Sequence, residues 1–202
     1  SLSFNTSVVA LTLDHDQMPM FAVNALSTVL LLNRALLELS LDMNHIGDEG
    51  VAALSTALKD NSMLKILRLV DNRVTAEGCK ALSDCLKYNT GLVRLNLDMN
   101  QCGDQGAAFI AAALMQNTTL RILSLGENFL SSRGIERIFF ALQSNSMLSE
   151  LRLGMACEYR HALLLTNGPS IHNYSFLNNS YSRNQMTNPP VQTSLNSMNH
   201  IK

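Results

Sequence analysis

The chain has 202 residues, 47% of them hydrophobic, which suits one folded domain with a real core. Its 15 basic and 16 acidic residues leave a net charge of −1. That balance argues against nucleic acid, which calls for a basic excess, and against a polybasic membrane contact. No apolar run approaches the ~18–20 residues of a membrane span.

In chain order, the elements recur. Leu2 and Asn5 form a closing segment, so the chain is expected to start inside a repeat. Val8, Leu11 and Leu13 then set a pattern that returns as Leu36, Leu39, Leu41 with Asn44, and as Leu64, Leu67, Leu69 with Asn72. It returns again as Leu92, Leu95, Leu97 with Asn100, as Leu120, Leu123, Leu125 with Asn128, and as Leu148, Leu151, Leu153. Each step is 28 residues. The second half of each unit keeps the same step: an apolar slot at Ile46, Val74, Cys102 and Leu130, then Gly50, Gly78, Gly106 and Gly134, and a closing Asn at 33, 61, 89, 117 and 145. After Leu153 the pattern decays, with Ala156 in the Asn place and Asn167-Gly168-Pro169 as a breaker. Residues 1–166 are therefore expected to form the repeat domain. Residues 167–202, rich in Asn and Ser, are expected to be a poorly structured tail or a loose cap.

The spacing has physical content. L-x-L alternates with period two, which predicts a short strand with one buried face. Apolar residues four apart, as at Gly50, Leu54 and Leu58, predict a helix with one buried stripe. The Asn after each strand predicts a tight turn, its amide bonding backbone groups that the turn leaves unpaired. One unit cannot bury its own apolar face, so units must stack into a continuous core. Parallel strands then line the concave side and helices cover the convex side.

The stretch Leu39-Ser40-Leu41-Asp42-Met43-Asn44-His45-Ile46-Gly47-Asp48-Glu49-Gly50 resembles ribonuclease-inhibitor-type leucine-rich repeats, and the resemblance covers residues 2–156. It implies an α/β solenoid, a horseshoe of strand–helix units. It also implies a protein partner, since proteins with such repeats share a protein-binding surface. The class includes Ran GTPase-activating proteins and bacterial effectors. Regulation of a small GTPase, or action of a bacterial effector on a host protein, are therefore the alternatives to a general interaction scaffold.

The variable strand residues should face the concave side as columns ~4.8 Å apart. The candidate partner-binding residues are Asp14, Glu38, Asp42, Ile66, Arg68, Arg94, Asn96, Asp98, Ile122 and Arg152. Asp14, Asp42 and Asp98 form an acidic column interrupted by Val70, and Arg68 and Arg94 a central basic pair beside apolar Ile66 and Ile122. Arginine over an apolar patch is a common interface hot spot. Met43, Met99 and Met155 are expected to pad the core edge, and the uncharged helix around Ala107–Ala113 is read as simple helix propensity.

No phosphate-binding, dinucleotide, zinc-protease or nucleophile-elbow motif occurs, and His15, His45, His161, His172 and His200 stand singly. No catalysis, cofactor or metal is expected. Cys79, Cys85, Cys102 and Cys157 lack metal or disulfide-framework spacing, which points to reduced thiols and a cytoplasmic protein. Cys102 is expected to be buried and inert.

Overall fold

The computed structural model describes residues 2–154 and, as backbone, Asn173–Tyr174. A 3₁₀ turn at Leu2–Phe4 leads into β1 (Ala10–Thr12) and α1 (Met20–Leu32). Then follow β2 (Glu38–Ser40), α2 (Gly47–Asp60), β3 (Ile66–Arg68), α3 (Ala76–Leu86), β4 (Arg94–Asn96) and α4 (Gly103–Leu114). The last elements are β5 (Ile122–Ser124), α5 (Ser132–Leu142), β6 (Glu150–Arg152) and β7 (Asn173–Tyr174). The strands form one parallel sheet in chain order. From β1 to β6 the register is constant: Leu11, Leu39, Leu67, Leu95, Leu123 and Leu151 stand side by side. At β7 the step shortens, with Glu150 opposite Asn173 and Leu151 opposite Tyr174. These two residues come from the Asn/Ser-rich tail and lengthen the sheet by one strand. Residues 155–172, with Met155 and Cys157 of the expected repeat domain, and residues 175–202 lie outside the described residues.

The core runs between sheet and helices. Leu39, Leu67, Leu95 and Leu123 are fully buried from the strands, and Leu54, Leu82 and Ile110 from the helices. Burying one such side chain contributes roughly 2 kcal/mol.

The Asn residues do the work their spacing predicts. The Asn72 amide nitrogen donates to Leu41 O at 2.8 Å and Val70 O at 3.1 Å, while its oxygen accepts from Asn44 N and Ile46 N, both at 3.2 Å. Asn44, Asn100 and Asn128 repeat the bond to the preceding unit, to Leu13 O (2.6 Å), Leu69 O (2.8 Å) and Leu97 O (2.7 Å). The closing Asn residues form a second ladder, in which Asn89 donates to Leu58 O at 2.6 Å and Asn61 O at 2.9 Å. Both ladders satisfy buried backbone groups that the sharp turns leave without regular partners. Those turns need left-handed backbone at Met43 (φ 60) and His45 (φ 55), and again at Asp71 (φ 51) and Arg73 (φ 59). Met43 and Met99 are half-buried at these corners.

The helix starts alternate between two designs. α2 and α4 begin at glycines with positive φ, Gly47 (+66) and Gly103 (+59), each followed by an Asp. α3 and α5 begin after Thr75 and Ser131, whose side chains cap their own helices by accepting from Glu77 N and Arg133 N. The two designs interlock. Asp48 accepts from Thr75 N (2.8 Å), Gly78 N (2.9 Å) and Thr75 Oγ1 (2.6 Å). Asp104 does the same with Ser131 N (2.8 Å), Gly134 N (3.1 Å) and Ser131 Oγ (2.5 Å). The carboxylate of one unit thus neutralises the N-terminal donors of the next helix. A Cβ on Gly78 or Gly134 would stand 2.5 Å from that carboxylate, which accounts for glycine there.

Candidate functional site

The concave surface is built from three columns. β-strand pleating turns the flanking residues of each L-x-L outward, so Glu38, Ile66, Arg94, Ile122 and Glu150 form one row in register. Ser40, Arg68, Asn96, Ser124 and Arg152 form a second. Just beyond the strands come Asp14, Asp42, Val70, Asp98 and Gly126.

The acidic column is a set of latches between units. Asp14 Oδ1 accepts from Asp42 N at 2.8 Å and from Ser40 Oγ at 2.7 Å. Asp42 Oδ1 accepts from Val70 N at 2.9 Å, and Asp98 Oδ1 from Gly126 N at 2.7 Å. Val70 cannot supply such a latch, and in its place Asn96 Oδ1 accepts from Asp98 N at 2.8 Å within the same unit. Asp42 is only 7% exposed. Burial raises its pKa above 3.8, with the Val70 N–H and the Arg68 guanidinium pulling the other way. Burial also raises Asp98, against the Gly126 N–H and Asn96.

The expected basic pair divides into a bound member and an open one. Arg68 Nε and Nη2 lie 3.0 and 2.5 Å from Asp42 Oδ2, so its charge is answered within the fold. Asp42, with Asp14 and Glu38 nearby, raises the Arg68 pKa despite the opposing effect of its own burial. Arg152 likewise lies 2.6 Å from Glu150 Oε1. Arg94 is exposed, and among the described residues it makes no side-chain hydrogen bond or ion pair. It stands between half-buried Ile66 and Ile122 on the neighbouring strands. Of the ten sequence-predicted residues, the structure thus gathers Ile66, Arg94 and Ile122 into one open patch. It commits Asp14, Asp42, Asp98, Asn96, Arg68 and Arg152 to contacts within the sheet, and leaves Glu38 half-buried at the patch's N-terminal side.

A family model described as "Leucine Rich repeat" matches residues 32–55, 60–83 and 116–139. The chain carries leucine-rich repeats. Two solved structures share the leucine-rich repeat fold. One is described as leiomodin-1 actin-binding site 2, 18% identical, covering 81% of this chain and 80% of that one with a TM-score of 0.59. The other is the tropomodulin C-terminal domain from Caenorhabditis elegans, 18% identical, covering 70% of this chain and 86% of that one with a TM-score of 0.60. No curated protein matches the sequence.

Elsewhere on this leucine-rich repeat stack, the thiols are sealed in the core. Cys79, Cys85 and Cys102 are free and buried. Burial pushes the Cys85 thiol up to about 12, and a hydrogen bond with Cys79 together with burial pushes Cys102 up as well. No group of three or more His, Cys, Asp or Glu among the described residues is placed to hold a metal ion. Among the described residues no helix is long and apolar enough to cross a membrane. Sequence reasoning missed the outer face of α1. Phe21 is 76% exposed, Leu31 43% and Leu32 48%, at positions where α2 carries Glu49, Lys59 and Asp60. The missing signal was comparison of outward helix positions from unit to unit, which would have shown α1 without a single charge.

Proposed function

We propose that the chain is an interaction scaffold that grips a protein through its concave face, with Ile66, Arg94 and Ile122 at the centre. One observation carries this reading: Arg94 is exposed, bears an unanswered charge among the described residues and is flanked in register by two isoleucines. A guanidinium is more weakly hydrated than an ammonium, so a partner strips its water at lower cost. The guanidinium gains a strong charge-assisted bond when a partner carboxylate displaces that water. The rigid sheet lowers the cost of binding, because the strand residues are already ordered. Buried free thiols support a reducing, cytoplasmic setting.

The test compares wild type with Arg94→Glu, both checked for folding by circular dichroism, in affinity capture followed by a Kd measurement on the purified partner. An interface centred on Arg94 predicts a loss of at least ~30-fold, the size of a hot-spot residue. Equal capture by both proteins refutes the concave-face reading. Actin is the first purified partner to try, because the fold likeness to leiomodin-1 actin-binding site 2 spans most of both chains. Regulation of a small GTPase, or action on a host protein, would be special cases of the same docking, read out by the identity of what is captured.

A further inference from the structure

The open patch around Arg94 is wider than the strands themselves, because the register of the sheet extends one residue ahead of them. Lys65 O accepts from Val93 N at 2.8 Å and from Arg94 N at 2.9 Å. Val93 O accepts in the same way from Arg121 N at 2.8 Å and from Ile122 N at 3.1 Å. Lys65, Val93 and Arg121 therefore stand abreast on three consecutive units, beside the row Ile66, Arg94, Ile122. With neighbouring strands ~4.8 Å apart, Lys65 and Arg121 leave the backbone about 10 Å from one another, and Arg94 stands between them.

None of the three cations has an acidic partner among the described residues, where the ion pairs use Arg68, Lys87 and Arg152. Lys65 Nζ donates to Ser62 O at 2.8 Å, and Arg121 Nη1 to Met147 O at 3.1 Å. These bonds to neutral carbonyls hold both side chains at the rim of the concave face and leave their charge unanswered. On a chain of net charge −1, three unpaired cations on adjacent units are a local concentration of positive charge.

The acids of this face lie elsewhere. Asp14, Asp42 and Asp98 stand beyond the other end of the strands, each accepting from a backbone N–H of the next unit. Glu38 and Glu150 end the Ile66–Arg94–Ile122 row on either side, so the row offers positive charge only across these three units. Among the cations lie half-buried Ile66, Val93 and Ile122. Such a surface asks two things of a ligand at once: carboxylates within about 10 Å of one another, and apolar side chains among them. A sugar-phosphate backbone supplies negative charge without the apolar groups, and the patch holds no aromatic ring on which a base could stack.

We infer that the concave face takes an acidic peptide segment, whose Asp or Glu side chains meet Lys65, Arg94 and Arg121 while interleaved apolar side chains cover Ile66, Val93 and Ile122. The inference rests on the concave-face reading above and adds the chemistry of the partner. Arg94 and Arg121 can each take a carboxylate through two parallel N–H bonds, and Lys65 acts as a point charge. One exposed ion pair of this kind contributes little. Three on a rigid sheet act together, and their summed field draws a negatively charged segment to the face.

The test pans a phage-displayed library of random dodecapeptides on the full chain. The tightest peptides are then synthesised, and their Kd is measured for wild type, for Arg94→Glu and for the double variant Lys65→Gln/Arg121→Gln, all checked for folding by circular dichroism. The expected peptides combine Asp or Glu with apolar residues. They should bind the Gln double variant at least ~10-fold more weakly and lose affinity as salt rises. Peptides that fail on Arg94→Glu but carry no acidic bias, or that bind the Gln double variant as well as wild type, overturn the acidic partner and leave the concave-face reading standing. Peptides that bind Arg94→Glu undiminished overturn both. An empty selection overturns the inference, as does a uridine dodecanucleotide bound as tightly as the best peptide, since charge alone would then suffice.

Discussion

Replacing Asn72 by Ala removes one residue from the middle of the turn ladder without touching the leucine core. Asn72 is 0% exposed. Its amide nitrogen serves Leu41 O and Val70 O, and its oxygen serves Asn44 N and Ile46 N. Of these four groups, the two N–H donors and Leu41 O lie in buried surroundings with water excluded. Leaving a buried polar group unpaired costs ~1–3 kcal/mol, so three groups with partial relaxation amount to ~3–6 kcal/mol. Domains of this kind have ~5–15 kcal/mol in all, so the loss is large but the fold should survive. Urea unfolding followed by circular dichroism measures it. Asn24→Ala, on the exposed face of α1, serves as the reference and should change little. Asn72→Asp keeps both acceptor roles and loses the donors, so it should be destabilised as well. A loss below ~1 kcal/mol for Asn72→Ala would refute the reasoning, because the ladder would then be geometry without energetic consequence.

Asp48→Ala should lower stability by ~1–2 kcal/mol, the scale of a helix cap, because it strips acceptors from Thr75 N, Gly78 N and the Thr75 hydroxyl. A thermal melt reads this, and Glu49→Ala, exposed one residue on, should not reproduce it. In carboxyl ¹³C titrations Asp104 should have a midpoint below 3.8, held down first by the Ser131 hydroxyl. A depressed folded pKa gives stability that is present above the unfolded value and lost as pH falls through the folded one, and Asp104→Asn should flatten that acid-side slope. Asp42 and Asp98 should titrate above 3.8. There the folded state binds the proton first, so their ionisation lowers stability as pH rises through that window. Cys79, Cys85 and Cys102 should resist a thiol reagent in the folded protein and react on unfolding. Fast reaction of any of the three without unfolding would show that the core opens locally.

Much of this architecture was readable because repeats make each position testable several times. Leu39 alone could sit in a strand or a helix; in step with Leu67, Leu95 and Leu123 it can only be the buried centre of a stacked strand. The same comparison identified the turn Asn and the Gly near the start of α2, α3, α4 and α5. The candidate site was less legible, and Asp42 shows why. Spacing placed it on the concave face, but whether it meets a partner or a neighbouring N–H depends on a bond of 2.9 Å to Val70 N, which no single unit contains. Arg68 and Arg94 have the same residue type and lie on adjacent strands. They differ because only Arg68 has Asp42 within reach. The bond between Asp48 and Thr75 was hidden for a similar reason, since its two ends occupy different slots in consecutive units.

That last pairing changes what counts as the module of this protein. Units with a Gly-Asp start, at Gly47-Asp48 and Gly103-Asp104, alternate with units capped by Thr75 and Ser131, and each Asp braces the hydroxyl unit that follows it. From α2 to α5 the structural building block is consequently a tandem of two, each half carrying one side of a bond. Losing a single 28-residue stretch would set like against like at the seam, while losing two would leave every brace matched.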